Sequence, residues 1–93
     1  MTTDAVHEDY EAAEREFLQA IRDQRDWADL RLRAAELAEK ARVWNGAEHA
    51  AWREATDENS RGSLAVSTDA TEMLEAVWRD VALAFEGKPA TGY

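Results

Sequence analysis

The strongest constraint on this chain is the absence of helix breakers from its first half. No proline and no glycine occurs among residues 1–45; Gly46 is the first breaker, and the single proline, Pro89, lies near the other end. A stretch of that length, rich in alanine, glutamate, arginine and leucine, is dominated by residues that favour helix. Asp4 is placed to cap its start, and Glu8, Asp9 and Glu11 suit the positive end of a helix dipole. Asn45-Gly46 reads as the stop, because glycine readily takes the left-handed conformation that ends helices. The expectation is one helix from about Thr3 or Asp4 to Trp44, roughly 60 Å long. In so small a chain such a helix either bends, near Gln24 to Trp27, or pairs along its length.

Pairing has a pattern to use. Ala13, Ala20, Trp27, Ala34 and Ala41 recur every seven residues, and Leu30, Leu37 and Trp44 form a companion row three residues on. Val6, Tyr10, Phe17 and Ile21 carry the stripe nearer the start. The stripe shifts around the helix between Ile21 and Trp27, which marks a stutter rather than a clean coiled coil. Downstream, Ala47, Ala51, Trp52 and Ala55 give a narrow apolar face to a second helix over about 47–59. The segment "NSRGS", with Gly62 as breaker, interrupts it. A third helix is expected from Thr68 or Asp69, where Asp69 and Glu72 have capping-box spacing. Met73, Val77, Val81 and Phe85 then share a face, with Ala70, Leu74 and Ala84 beside them, and Gly87 and Pro89 end the helix. Glu11–Arg15, Asp29–Arg33, Glu36–Lys40, Asp57–Arg61 and Glu75–Arg79 each place an acid four residues before a base, a spacing that supports helix.

The predicted fold class is therefore all-α: a long N-terminal helix folded back as a helical hairpin on two shorter helices. Trp44-Asn45-Gly46 makes the turn of this three-helix arrangement. Two such hairpins would bury their remaining stripes as a dimeric four-helix-like bundle. Residues 1–86 read as a single helical domain and 87–93 as a flexible C-terminal tail of turn composition.

Charge narrows the function. Twenty acidic and 11 basic residues give a net charge of -9. Direct contact with nucleic acid or an anionic membrane is disfavoured, since both are negatively charged. A basic partner, or one that normally grips nucleic acid, is allowed. There is no cysteine, so disulfides, thiolate metal sites and thiol catalysis are excluded. The first apolar run is too short for a signal peptide or a membrane span, which favours the cytoplasm, or export without a cleaved signal. Arginine outnumbers lysine nine to two, a bias that fits a high-GC bacterial or phage genome.

Catalytic constellations are not apparent. His7 and His49 are far apart and sit in no ligand pattern, and Ser60, Ser63 and Ser67 lack a nucleophile elbow. There is no glycine-rich phosphate loop. No enzyme activity, cofactor or metal is expected. The four tryptophans stand out instead: Trp27, Trp44, Trp52 and Trp78 are large apolar anchors, each with one donor. A thin hairpin can hardly enclose all four, so at least one is expected to face a partner or a second copy, with Trp78 first in line. The anchor set for partner binding is Trp27, Leu30, Leu37, Trp44, Trp52, Trp78 and Phe85.

Trp44-Asn45-Gly46 also makes a W-x-G tripeptide between two helical arms of an acidic, cysteine-free chain. In this the chain resembles the W-x-G family of small type VII secretion substrates, the early-secreted-antigen type. The resemblance implies a helical hairpin with the tripeptide at its turn, dimerisation and export without a cleaved signal. Trp52, eight residues on, suits the pattern. "NSRGS" departs from it by breaking the second arm, and no tyrosine with an acid four residues later follows the third helix.

The leading functional expectation is a small acidic non-enzymatic protein that binds and regulates or inhibits another protein by helix–helix contacts, its acidic rim steering a helical or basic surface. General character places it with phage-encoded or bacterial inhibitors of a host factor, and a homodimer is expected. The alternatives are the secreted hairpin and a DNA mimic whose acids imitate a phosphate backbone.

Overall fold

A computed structural model of the chain describes residues 3–86, with the side chain of Thr3 set aside; the expected tail at 87–93 lies outside the described residues. It is all-helical, with three helices: α1 (Thr3–Arg22), α2 (Trp27–Glu54) and α3 (Glu58–Glu86). Each packs antiparallel to the one before it. The fold class and the number of helices match the sequence reading, and the first break falls at the bend near Gln24 to Trp27 that was one of its two alternatives, but the breaks expected at Asn45-Gly46 and Gly62 fall elsewhere.

The long first helix does not exist as one piece. It ends at Arg22, in the region where the apolar stripe shifts, and the chain reverses through residues 23–26. Gln24 is left-handed there, with φ 55. Its amide donates to Ile21 O (3.0 Å) and the Arg25 amide to Ala20 O (3.0 Å). This pair of bonds is a Schellman stop, with glutamine where glycine is usual. Asp26 then caps α2: its backbone is extended and its side chain accepts from the Asp29 amide at 2.8 Å. Reversal by Gln-Arg-Asp carries no glycine or proline signal, so only the phase shift of the stripe, with the bend it allowed near Gln24 to Trp27, pointed to it.

Asn45-Gly46, expected as the turn, lies inside α2. The Asn45 amide donates to Thr68 O and to Thr71 Oγ1, both at 2.9 Å, tying α2 to α3. A Cβ on Gly46 would meet nothing within 4 Å, and no glycine among the described residues has positive φ. Gly62 likewise sits in a helix: "NSRGS" belongs to the first turns of α3. The second reversal is at Ala55–Asp57. The Ala55 amide bonds back to Ala51 and Trp52 carbonyls, and Asp57 caps α3 by accepting from the Asn59 (3.0 Å) and Ser60 (3.2 Å) amides. Those bonds and the Ser60 hydroxyl hold the Asp57 carboxyl below its usual range. The Asp69–Glu72 pair is in mid-helix and caps nothing, and Asp4 lies in the first turn of α1 rather than before it.

Val6, Tyr10, Ala13, Phe17 and Ala20 of α1 and Leu30, Ala34, Leu37 and Ala41 of α2 are buried, and all but Val6 belong to one core. From α3 the core takes Leu74, Trp78, Val81, Ala82 and Phe85. The small alanines let α2 lie close to its neighbours. No Cα of α1 comes within 8 Å of α3 among the described residues; large aromatic side chains bridge that seam instead. α1 is shorter than α2 and α3 by about two turns, so one end of the α2–α3 hairpin continues alone. Asn45 works toward that end, and Thr71, 1% exposed, receives its amide and donates to Ser67 O at 3.0 Å.

Of the five helical ion pairs read from sequence, Glu11–Arg15, Asp29–Arg33 and Glu75–Arg79 form. Lys40 reaches across to Asp9 of α1 at 2.7 Å instead, and Arg61 lies over the Trp52 ring, 4.3 Å from its centroid. Lys40–Asp9 and Arg33–Glu16 (4.0 Å) pin the outer edge of the α1–α2 pair, each contributing at most about 1 kcal/mol at the surface.

Two substitutions separate this arrangement from a turn at residue 46. Gly46→Ala should stabilise the fold by about 0.5–1 kcal/mol, because helix interior favours alanine and the added methyl meets open space. Gln24→Gly should stabilise it by up to about 1 kcal/mol by removing the left-handed penalty. Urea unfolding checks both; a loss of stability in Gly46→Ala would place a left-handed residue at 46.

Candidate functional site

The structure puts the seven expected anchors to unequal use. Leu30 and Leu37, at 1% and 0% exposure, are core residues of the single chain and are not available to a partner. The two rows of the heptad pattern were read as a stripe for helix pairing; within the chain that stripe is covered by α1 and α3.

The aromatic anchors are half-buried, and each is engaged inside the molecule. Trp78, first in line for a partner, donates its indole N–H to the Tyr10 hydroxyl at 2.7 Å and meets the Phe17 ring edge-on, with centroids 5.1 Å apart. Phe85 lies against Phe17 (6.4 Å) and stacks with Trp27 (5.4 Å). Trp44 stacks on His7 at 4.3 Å and donates to the buried Glu48 carboxylate at 3.1 Å. His7 is in turn paired with Glu11 at 2.7 Å. Trp52 carries Arg61. The tryptophans are thus mainly wedges and clasps: Trp78, Phe85 and Trp27 fill the wide α1–α3 seam, Trp44 holds the start of α1, and Trp52 closes the α2–α3 end.

What sequence reasoning missed is on α3. Met73 and Val77 were placed with Phe85 on the core face. They face outward: Met73 is 68% exposed, Val77 47% and Val66 70%. The core face is instead Thr68, Thr71, Leu74, Trp78, Ala82 and Phe85, turned by about one residue, because two threonines accept burial when Asn45 and the helix carbonyls satisfy their hydroxyls. The outward row was legible as a spacing, since Val66, Ala70, Met73, Val77 and Ala84 recur at i, i+4, i+7, i+11 and i+18. Helix α3 therefore carries two apolar faces, of which the bundle uses one.

On α1, Ile21 and Leu18 are also exposed. Ile21 follows Phe17 by four residues and Tyr10 by eleven, so it prolongs the row that meets α3. Leu18 and Ile21 thus form one lip of the α1–α3 seam, and Val77 and Val81 the other. Along the outer edge of the α3 row stand Asp69 and Asp80, neither of which has an ion-pair partner among the described residues. A groove of about 280 Å³ lies between α2 and α3, with Ala35, Ala38 and Ala82 in its lining. Its two arginines, Arg42 and Arg79, are held by Glu39 and Glu75. No group of three or more His, Asp or Glu among the described residues is placed to hold a metal, and no described helix is long and apolar enough to cross a membrane.

No protein-family model matches the chain, and neither a curated protein nor a solved structure matches it. The resemblance to the W-x-G family rests on Trp44 and Gly46, and their place inside α2 removes the turn that it implied.

The Tyr10–Trp78 clasp has a pH signature. Burial pushes the Tyr10 phenol from 10.0 up to about 12; the indole hydrogen bond works against this, and Glu14, accepting from the phenol at 2.9 Å, adds to it. Between these values the folded chain keeps a proton that the unfolded chain has released, so stability falls as pH rises. The contribution is whole below about pH 10 and gone above about pH 12. Tyr10→Phe should flatten that alkaline limb. At neutral pH it should cost about 1–3 kcal/mol, because the Trp78 donor loses its acceptor. Urea midpoints followed by tryptophan fluorescence across neutral and alkaline pH check both effects.

Proposed function

We propose that this chain is a small acidic non-enzymatic protein that acts by binding another protein through helix–helix contacts. The observation that supports the reading is the second apolar face of α3. The bundle core is complete without Val66, Met73 and Val77, and every buried side-chain donor and acceptor among the described residues is satisfied. A contiguous apolar row spanning about five helical turns then remains in solvent, and such rows on small domains mark interaction surfaces. Burying it against a second helix would remove several large side chains from water at about 25 cal/mol per Å². The anchors of the interaction are therefore Met73, Val77 and Val66, with Leu18 and Ile21 at the margin. Regulation or inhibition of the bound protein would follow from occupying a helix-binding groove or displacing a helix that normally sits there.

The double variant Met73→Ser/Val77→Ser tests this. It should fold with a stability within about 0.5 kcal/mol of the parent, because both positions are outside the core. It should lose the protein that the parent chain retains when cross-linked in the cells that produce it. Leu32→Ser, at an equally exposed leucine on the outer face of α2, should keep that protein. Equal retention by the parent and both variants would remove the α3 face from the function.

A further inference from the structure

We infer that the outward apolar row of α3 receives a basic amphipathic helix. This rests on the protein-binding reading above and names the class of partner. Three features of the molecule converge on it.

The first is the shape of the apolar surface. Val66, Met73 and Val77 stand in solvent along one side of α3. The Tyr10, Phe17, Trp78 and Phe85 rings close the space between α1 and α3, so the row flanks a filled seam. An exposed apolar row of this kind is what the apolar stripe of a third-party helix fits, reading i, i+4, i+7 and i+11 against the same spacing on α3.

The second is charge. α3 carries six acids, Glu58, Asp69, Glu72, Glu75, Asp80 and Glu86, against two arginines. Arg79 is taken by Glu75 and Arg61 by Trp52. Asp69 and Asp80, eleven residues and three turns apart, lie about 16 Å from each other along the outer margin of the apolar row, both without an ion-pair partner among the described residues. A partner helix with lysine or arginine along one edge would meet these carboxylates while its leucines cover the apolar row.

The third is what charge says against the obvious rival. A second copy of this chain would bring another -9 to the interface and set its own Asp69 and Asp80 rows near these, with no free arginine on α3 to answer them. Like charges placed together at an interface cost affinity, and opposite charges speed encounter and select the partner.

The test uses the full 93-residue chain and two synthetic 18-residue helices. Both helices carry leucine at i, i+4, i+7 and i+11; one has lysine on its flanks, and its twin has glutamate at the same sites. The lysine helix should bind at physiological salt and shift amide resonances of residues around 14–21 and 66–84. The glutamate twin should bind at least about tenfold more weakly. Met73→Ser/Val77→Ser should weaken the lysine helix by about tenfold or more, and Asp69→Asn/Asp80→Asn by several-fold with a flatter salt dependence. Glu36→Gln/Glu54→Gln, an equal charge change on the outer face of α2, should leave binding unchanged. Equal weakening by the α2 pair, or shifts spread over the whole surface, would reduce the attraction to net charge and overturn the inference. So would a chain that is dimeric by light scattering with its α3 row covered, or a glutamate twin that binds as well. The two readings fail separately. A cellular partner lost with Met73→Ser/Val77→Ser but indifferent to Asp69→Asn/Asp80→Asn would leave the protein-binding reading standing and remove the basic helix.

Discussion

Small side chains along one line of α2 decide how the three helices come together. Ala34 and Ala41 are wholly buried, and Ala13 and Ala20 of α1 are buried in the same core. Where alanine meets alanine two helices approach closely, and Leu30 and Leu37 fill the spaces between. The same alanines leave α1 and α3 on either side of α2 with a gap between them, too wide for small residues to close. Tyr10, Phe17, Trp78 and Phe85 fill it. The bundle is thus asymmetric: two tight contacts about α2, and one wide seam held by rings. The exposed apolar side chains Leu18 and Ile21 of α1 and Val77 of α3 belong to the two helices that this seam separates.

Buried polar groups then make the packing specific. Apolar contacts alone would let α3 rotate or slide against α2, because its outward row of Val66, Met73 and Val77 is as apolar as its inward row. Asn45 fixes the choice. Its amide needs two acceptors, and the Thr68 carbonyl and Thr71 hydroxyl supply them in one register only. At the other contact, the Trp78 indole finds the Tyr10 hydroxyl. A rotation of α3 that buried Met73 would break both clasps and leave a half-buried amide and an indole donor unsatisfied. Polar satisfaction, rather than hydrophobicity, therefore selects which face of α3 is left exposed.

The charge distribution complements this. Half of the ten basic residues among those described are ion-paired within the chain: Arg15 with Glu11, Lys40 with Asp9, Arg33 with Asp29, Arg42 with Glu39 and Arg79 with Glu75. The surplus is acidic, and on α3 it lines the edge of the free apolar row. A surface with an apolar centre and one sign of charge at its margin suits recognition of a partner helix, with charge governing encounter and the apolar row governing residence.

By itself the sequence determined a great deal of the local structure. Helix content, the absence of strands among the described residues, the core rows of α1 and α2 and three of the five ion pairs follow from periodicity and spacing. It misjudged two breaks and left the third open. Gly46 and Gly62 looked like stops because glycine weakens a helix by about 1 kcal/mol, Ala55 looked like helix interior, and Gln24 could belong to either a bend or a continuous helix. Tertiary packing reverses each of these preferences. Asn45 and the alanines around it hold α2 helical through Gly46, and the shift of the stripe after Ile21 can be accommodated only if the chain turns back at Gln24. Which apolar residues of α3 are buried, and that all four tryptophans are engaged inside, was decided only in three dimensions. A spacing shows that residues share a helix face; the partners waiting for that face, here Asn45 and Tyr10, lie about 25 and 70 residues away in the chain and decide which way it turns.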